Sequence, residues 1–379
     1  MRRRNFIYNT ILGSTGLAIT GSTLTSCSQS GRHAAIGIIG CGKRRTELLE
    51  HLSGLRKGEK EPFFSRRIVT VLVDDLLTWD WPQQAHSAGL NTIATHYDPD
   101  TIVSFLKSEK GHMFMTDCKQ LRIGVEHWLH SFTSLLPRYL FEVDPTLFRM
   151  NKDGKRTPDA NFCVSNKHTL EIVCEHAVEY AQLLPTSTGR YFYASDDAKQ
   201  MCFCPKCISL SASEQTLIAE NNIIAALRKY VNPAAIISHA AYIHTMSAPR
   251  EIKPEPGVFL EWAPITRTHD RPITDRNAKN GEHGRILDCL YENLEVFGKQ
   301  DSQVFEYWFD SYRASGWKTK KEKWVKAPWN PGVLHEDLSF YNRIGIKNIT
   351  SVTCWINKDY VDRFGEPPLR EYGKELLSW

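Results

Sequence analysis

The strongest constraint on this chain is a strand–helix alternation that starts near residue 66 and runs to the end. Short β-rich runs stand at 68–73, 92–95, 123–126, 191–194, 236–242, 258–262, 304–309 and 349–354. Helical patterns fill most of the gaps, at 81–88, 99–118, 167–184, 214–230, 282–297 and 331–343, with a last one at 358–377 broken by Gly365-Glu366-Pro367-Pro368. Alternation of this kind builds parallel sheets, because each crossover must carry the chain back to the same end. The link 247–257 holds three prolines and is too short and stiff for a normal helix. Eight strand–helix units predict an α/β fold of the TIM-type (β/α)8 kind over residues 66–379, with the site where the strands' C-terminal ends meet. An open doubly wound sheet is the competing topology.

The strand ends carry the functional reading. They supply Asp74-Asp75, His96, Glu126-His127 with His130, Asp196-Asp197, Tyr242, Glu261-Trp262, then Glu306, Trp308 and Asp310, and finally Trp355. Packing alone would place such residues on the outer helices. A mouth ringed by acids and aromatics suits carbohydrate, with carboxyls for proton transfer and flat rings for the C–H face of a sugar. Strands four and seven lie across the barrel, so Asp197 is expected as general acid, assisted by Asp196 and faced by Glu306. Glu261 and Glu126 are close contenders. His96, His127, His130, Tyr242, Trp262, Trp308, Asp310 and Trp355 are the expected substrate contacts. Each acid is equally suited to an ion pair with Arg190, Arg267 or Arg313.

Cys202-Phe203-Cys204-Pro205-Lys206-Cys207 follows the Asp pair. Three thiolates at this spacing can converge on one zinc ion, with the fourth ligand coming from Cys163, Cys174 or a distant His. A disulfide or free thiols are the alternatives. Any zinc here would be structural, and no catalytic cofactor is implied.

The first 27 residues stand apart. Arg2-Arg3-Arg4 precedes an uncharged apolar stretch, 11–24, too short to span a bilayer as a mature helix. Arg3-Arg4-Asn5-Phe6-Ile7 resembles a twin-arginine export motif, and Leu24-Thr25-Ser26-Cys27 resembles a lipobox. The expectation is an exported protein, lipidated at Cys27 and held at a membrane facing the periplasm or cell surface. Residues 28–65 read as a tether with an appended strand and helix. A net charge of +4 without any run of five basic residues argues against a nucleic-acid partner.

Two resemblances add to this. Residues from about 68 to 379 resemble a domain-of-unknown-function group of bacterial glycoside-hydrolase-like barrels, distantly similar to α-glucuronidases and hexosaminidases. The resemblance is carried by Glu126-His127-Trp128-Leu129-His130, Asp153-Gly154-Lys155-Arg156-Thr157-Pro158 with Cys163-Val164-Ser165-Asn166, and Asp196-Asp197-Ala198 leading into the cysteine run. Ala198 stands where many relatives have Gly. The resemblance implies a barrel acting on carbohydrate. Separately, Gly40-Cys41-Gly42 resembles the first turn of exported sugar oxidoreductases of the glucose–fructose oxidoreductase family, though Arg45 occupies the place of the third small residue. Three functions therefore compete: a hydrolase acting on a glycan or uronate-containing oligosaccharide, a non-catalytic carbohydrate-binding lipoprotein, and an NAD(P)-dependent sugar oxidoreductase.

Overall fold

The computed structural model describes residues 61–196 and 200–379. The leader, Cys27, the Gly40-Cys41-Gly42 turn and Asp197 lie outside the described residues. Eight strands are present: β1 Arg66–Leu72, β2 Thr92–Tyr97, β3 Gly124–His130, β4 Arg190–Ala194, β5 Ile236–Ala241, β6 Val258–Trp262, β7 Gln303–Glu306 and β8 Asn348–Val352. They pair in sequence order, all parallel, and β8 closes on β1 through Ile68↔Thr350 and its neighbours. β1 therefore has a partner on both sides, which rules out the open sheet for this domain. The architecture is the TIM-type barrel.

Helices cover the outside where the periodicity places them. Glu282–Phe297 lies between β6 and β7, and Pro331–Ile344 leads into β8 with Asn330 as its cap, accepting from the backbone of Gly332 and Val333. Ala212–Tyr230 starts with a full capping box between Ser211 and Glu214, two residues earlier than the expected start. The expected helix at 99–118 is two, Pro99–Leu106 and Glu109–Gln120, because Ser108 breaks out to cap the second. The C-terminal pattern breaks at the Gly-Glu-Pro-Pro run into Lys358–Phe364 and Leu369–Leu377. Between β5 and β6 only a short 3₁₀ turn forms, Ile243–Thr245.

Side chains alternate across the barrel wall with period two. The inward set includes Trp128, Phe192, Phe259, Phe305, Tyr307 and Val352, which pack as one cluster separate from the larger core between barrel and helices. The bottom of the interior is polar. There Glu126, fully buried, pairs with Arg66 and Arg190 and accepts from Thr188 Oγ1 at 2.6 Å. The Arg190 guanidinium lies 3.9 Å over the Phe259 ring. Such a plug closes the N-terminal end, where conserving stability and not chemistry is the usual role.

Candidate functional site

The C-terminal mouth opens into a cavity of about 450 Å³, within the size range of small-molecule sites. Its one wall comes from β2 and β3. His96, Tyr97, Trp128 and His130 pack ring against ring there, Trp128 edge to face with His130 at 4.8 Å and Tyr97 tilted against His130 at 4.6 Å between centroids. The facing wall comes from the loops after β7 and β8. Trp355 lies stacked on Trp324 at 4.5 Å and 4.3 Å from Tyr312, which in turn meets Trp317 edge-on. Tyr242 and Tyr307 also line it.

Trp355 adopts a left-handed backbone, φ 64°. For a bulky residue that costs on the order of 1–3 kcal/mol and persists only when the surroundings enforce it. The enforcing group is Asp75, just past β1. It accepts from Trp355 N at 2.8 Å and from Asn357 Nδ2 at 2.7 Å. Burial pushes the Asp75 carboxyl up to about 7, against the pull of those two donors. Those hydrogen bonds hold the strained turn and with it the Trp355 ring in the cavity wall.

Among the described residues, Asp310 is the one carboxyl that lines the cavity. Its Oδ1 caps the turn Ser311–Ala314 by accepting from Arg313 N at 2.9 Å. Burial raises it to about 6, partly offset by that backbone donor and by the Arg313 charge. His96 is pushed down to about 3 by burial and by neighbouring His130, so it stays neutral. A carboxyl that burial lets hold its proton up to about pH 6, a neutral imidazole and apolar plates make a site suited to protonating a leaving oxygen on a ring-shaped polar molecule.

Several expected site residues lie elsewhere, and strand length or alternation explains each. Because β3 continues to His130, Glu126 sits four residues below the strand's end, at the barrel bottom and not at the mouth. Glu306 cannot face the mouth, since Phe305 and Tyr307 on either side point inward. It points to the helix layer, bonded to Arg267 Nη1 and Tyr341 Oη at 2.5 Å each, with Asp337 on the same guanidinium at 2.7 Å. Burial raises it, but Arg267 and then His269 prevail and hold it below the ordinary carboxylate range. Trp262 and Trp308 point outward too: Trp262 packs on Tyr341, and Trp308 donates to Asp337 and packs on Tyr372. His127 is buried behind the wall between Thr95 Oγ1 and the Pro185 carbonyl. The ion-pair alternative describes Glu126 and Glu306 as the structure has them.

Glu261 does face inward, one layer beneath the cavity. Its carboxylate accepts from Trp128 Nε1 at 2.6 Å and Gln303 Nε2 at 2.8 Å, and burial pushes it up to about 8. It therefore braces the Trp128 plate. Asp196 lies just past β4, accepting from Thr133 Oγ1 at 2.6 Å, one residue beyond Ser195, whose carbonyl meets His130. Strand-end reasoning passes over Trp128, Tyr97, Tyr307, Tyr312 and Trp317. Counting back by two from His130 finds Trp128, and from Tyr307 finds Phe305. The loop residues carry no comparable signal.

Away from the mouth, Cys163, Cys202, Cys204 and Cys207 are all buried, with their sulfurs within 4.8 Å of one another. Cys174, the other expected fourth ligand, is not among them.

The family model described as Domain of unknown function (DUF4838) matches residues 73–288. Comparison with curated proteins gives no match. Similar solved structures include a catalytic mutant of Gan42B, a GH42 β-galactosidase from G. stearothermophilus, with TM-score 0.49 and 13% identity over 85% of this chain and 58% of that one. A tri-modular GH5 endo-β-1,4-glucanase from Bacillus licheniformis has TM-score 0.49 and 8% identity over 83% and 60% of the two chains. PbGH5A, a glycoside hydrolase family 5 enzyme from Prevotella bryantii B14, has TM-score 0.46 and 8% identity over 85% and 99%. The chain thus spans less than two thirds of the first two. With more than half of its residues matched by one family model, the chain belongs to the DUF4838 family.

Proposed function

We propose that this protein cleaves a glycan or uronate-containing oligosaccharide at the barrel mouth, and that its leader delivers it as a lipoprotein to an outward-facing membrane. The carrying observation is the pairing of aromatic plates with a buried carboxyl of raised proton affinity, Asp310, in one cavity. Trp355 on one side and Trp128 on the other present apolar faces to a sugar ring. Asp310 donates its proton to the departing oxygen. The second carboxylate that glycosidic cleavage requires is drawn from Asp196-Asp197, or from a group on the substrate itself. Asp197 remains the competing choice for the acid.

The test is a glycan panel with three variants. Asp310→Asn keeps the helix cap and should keep binding, while turnover of an unactivated glycan falls by roughly 10²–10⁴-fold. The loss should shrink for substrates with good leaving groups, which need little protonation. Trp355→Ala should weaken binding about tenfold, or ~1.4 kcal/mol. Loss of turnover in Asp197→Asn, with Asp310→Asn unaffected, transfers the acid role to Asp197. Binding without turnover of any glycan overturns the hydrolase and leaves a carbohydrate-binding lipoprotein, a reading favoured by the pairing of Glu126 at the barrel floor and of Glu306 in the helix layer with arginines.

A further inference from the structure

The four-cysteine group sits outside the cavity and takes no part in the chemistry above. Two segments far apart in sequence build it. Cys163 comes from the long connection between β3 and the helix Lys167–Leu183, while Cys202, Cys204 and Cys207 come from the loop after β4. The Cys163 sulfur is 3.7 Å from that of Cys204 and 4.0 Å from that of Cys207. A tetrahedral zinc with Zn–S bonds of about 2.3 Å has sulfur–sulfur edges of roughly 3.8 Å. Close-packed neutral thiols have no reason to gather four at this spacing from two separate loops. A disulfide joins its sulfurs at about 2.05 Å and satisfies only two, whereas here Cys163 stands about equally from two others.

The surroundings match what a bound thiolate set needs. Backbone N–H groups point at one sulfur: Met150 N is 3.3 Å and Cys204 N 3.5 Å from Cys202 Sγ. The Arg156 guanidinium lies 3.7 Å from the same sulfur. Such N–H donors and a nearby cation offset the surplus negative charge of four thiolates on a divalent ion, the outer-shell role that tunes structural sites. Cys204-Pro205-Lys206-Cys207 turns tightly, with Cys207 N donating to Cys204 O at 2.8 Å. Gln215, on the helix that follows, accepts from Cys202 N and donates to the carbonyls of Cys202 and Cys207, which holds the loop open around the sulfurs. All four sulfur-bearing residues are at most 3% exposed, so the site is closed to solvent.

We propose that Cys163, Cys202, Cys204 and Cys207 bind one structural zinc ion, which ties the β3 connection to the loop after β4. Closed four-sulfur coordination leaves no open position, so the ion orders the loop and does not activate water. Metal analysis of the purified full chain should find about one zinc per chain, released in step with the modification of four thiols. Replacing zinc by cobalt(II) should give the sulfur-to-cobalt charge-transfer absorption of a tetrahedral thiolate site. Cys163→Ser should lose most of the metal, and Cys174→Ser should keep it. Should Cys163→Ser fail to fold, the charge-transfer intensity of the wild-type cobalt protein, which scales with the number of bound thiolates, decides between four sulfur ligands and three, and three overturns the proposal. A folded wild type without stoichiometric zinc that takes up neither zinc nor cobalt overturns the proposal, whether its thiols titrate freely or are found as disulfides. So does full metal content in a folded Cys163→Ser.

Discussion

Replacing Glu306 by Gln separates a buried structural acid from a catalytic one. The side chain is fully buried, and so are Arg267 and Asp337 beside it. The guanidinium faces two carboxylates and also donates to the carbonyls of Thr268 and Arg271 at 3.1 and 2.9 Å. Taking one partner from a buried ion pair costs about 3–5 kcal/mol when the other charge is left alone. Here Arg267 keeps Asp337. Burial raises Asp337 to about 6, helped by repulsion from Glu306, and that repulsion disappears in the variant. Asp337 then ionises more fully and takes over the guanidinium. The net loss should therefore be nearer that of one charged hydrogen bond, about 1.5–3 kcal/mol. Glu306→Ala, which also leaves a void and an unpartnered Tyr341 hydroxyl, should cost about 3–5 kcal/mol. With a urea m-value of about 2–3 kcal/mol/M, the Gln variant should unfold at a midpoint lower by about 0.5–1.5 M. Ligand binding at the mouth should change little at temperatures where the variant is folded. A Glu306→Gln protein with wild-type stability and selectively lost turnover would refute the assignment and return Glu306 to the catalytic set.

Two further outcomes follow from buried carboxyls and from the leader. Burial raises Asp310 to about 6 against an unfolded value near 3.9, so the folded chain binds the extra proton between those limits. Its contribution is full below about pH 4 and is lost as pH rises through about 6; Asp310→Asn should flatten that part of the stability–pH curve by ~2–3 kcal/mol, read from urea midpoints between pH 4 and 7.5. An unchanged slope would mean that Asp310 titrates normally. Cys27→Ser should leave the membrane fraction in cells that retain the wild type there, and a wild type already soluble and starting at another residue would end the lipoprotein proposal.

Much of the architecture was legible from residue order. Eight β-rich runs separated by helix-length stretches require parallel crossovers, the Gly365–Pro368 break falls where the last helical pattern is interrupted, and three prolines leave β5–β6 without a helix. These are local properties, settled by backbone dihedrals and side-chain periodicity within a dozen residues. The site was less legible. His96, His130, Tyr242, Asp310 and Trp355 do line the cavity, because they stand at or beyond strand ends where either parity can reach the opening. Glu126 fell to the barrel floor because β3 runs on to His130, and Glu306, Trp262 and Trp308 faced the helices because a period of two sends neighbours to opposite sides. A strand's residues show its alternation but not which alternate set faces in. That choice belongs to barrel closure, which fixes each strand's parity only once all eight are paired. The same holds for the cysteines: three of them signal a site by spacing alone, while Cys163 joins them only because two loops, 39 residues apart at their nearest cysteines in sequence, fold onto one another.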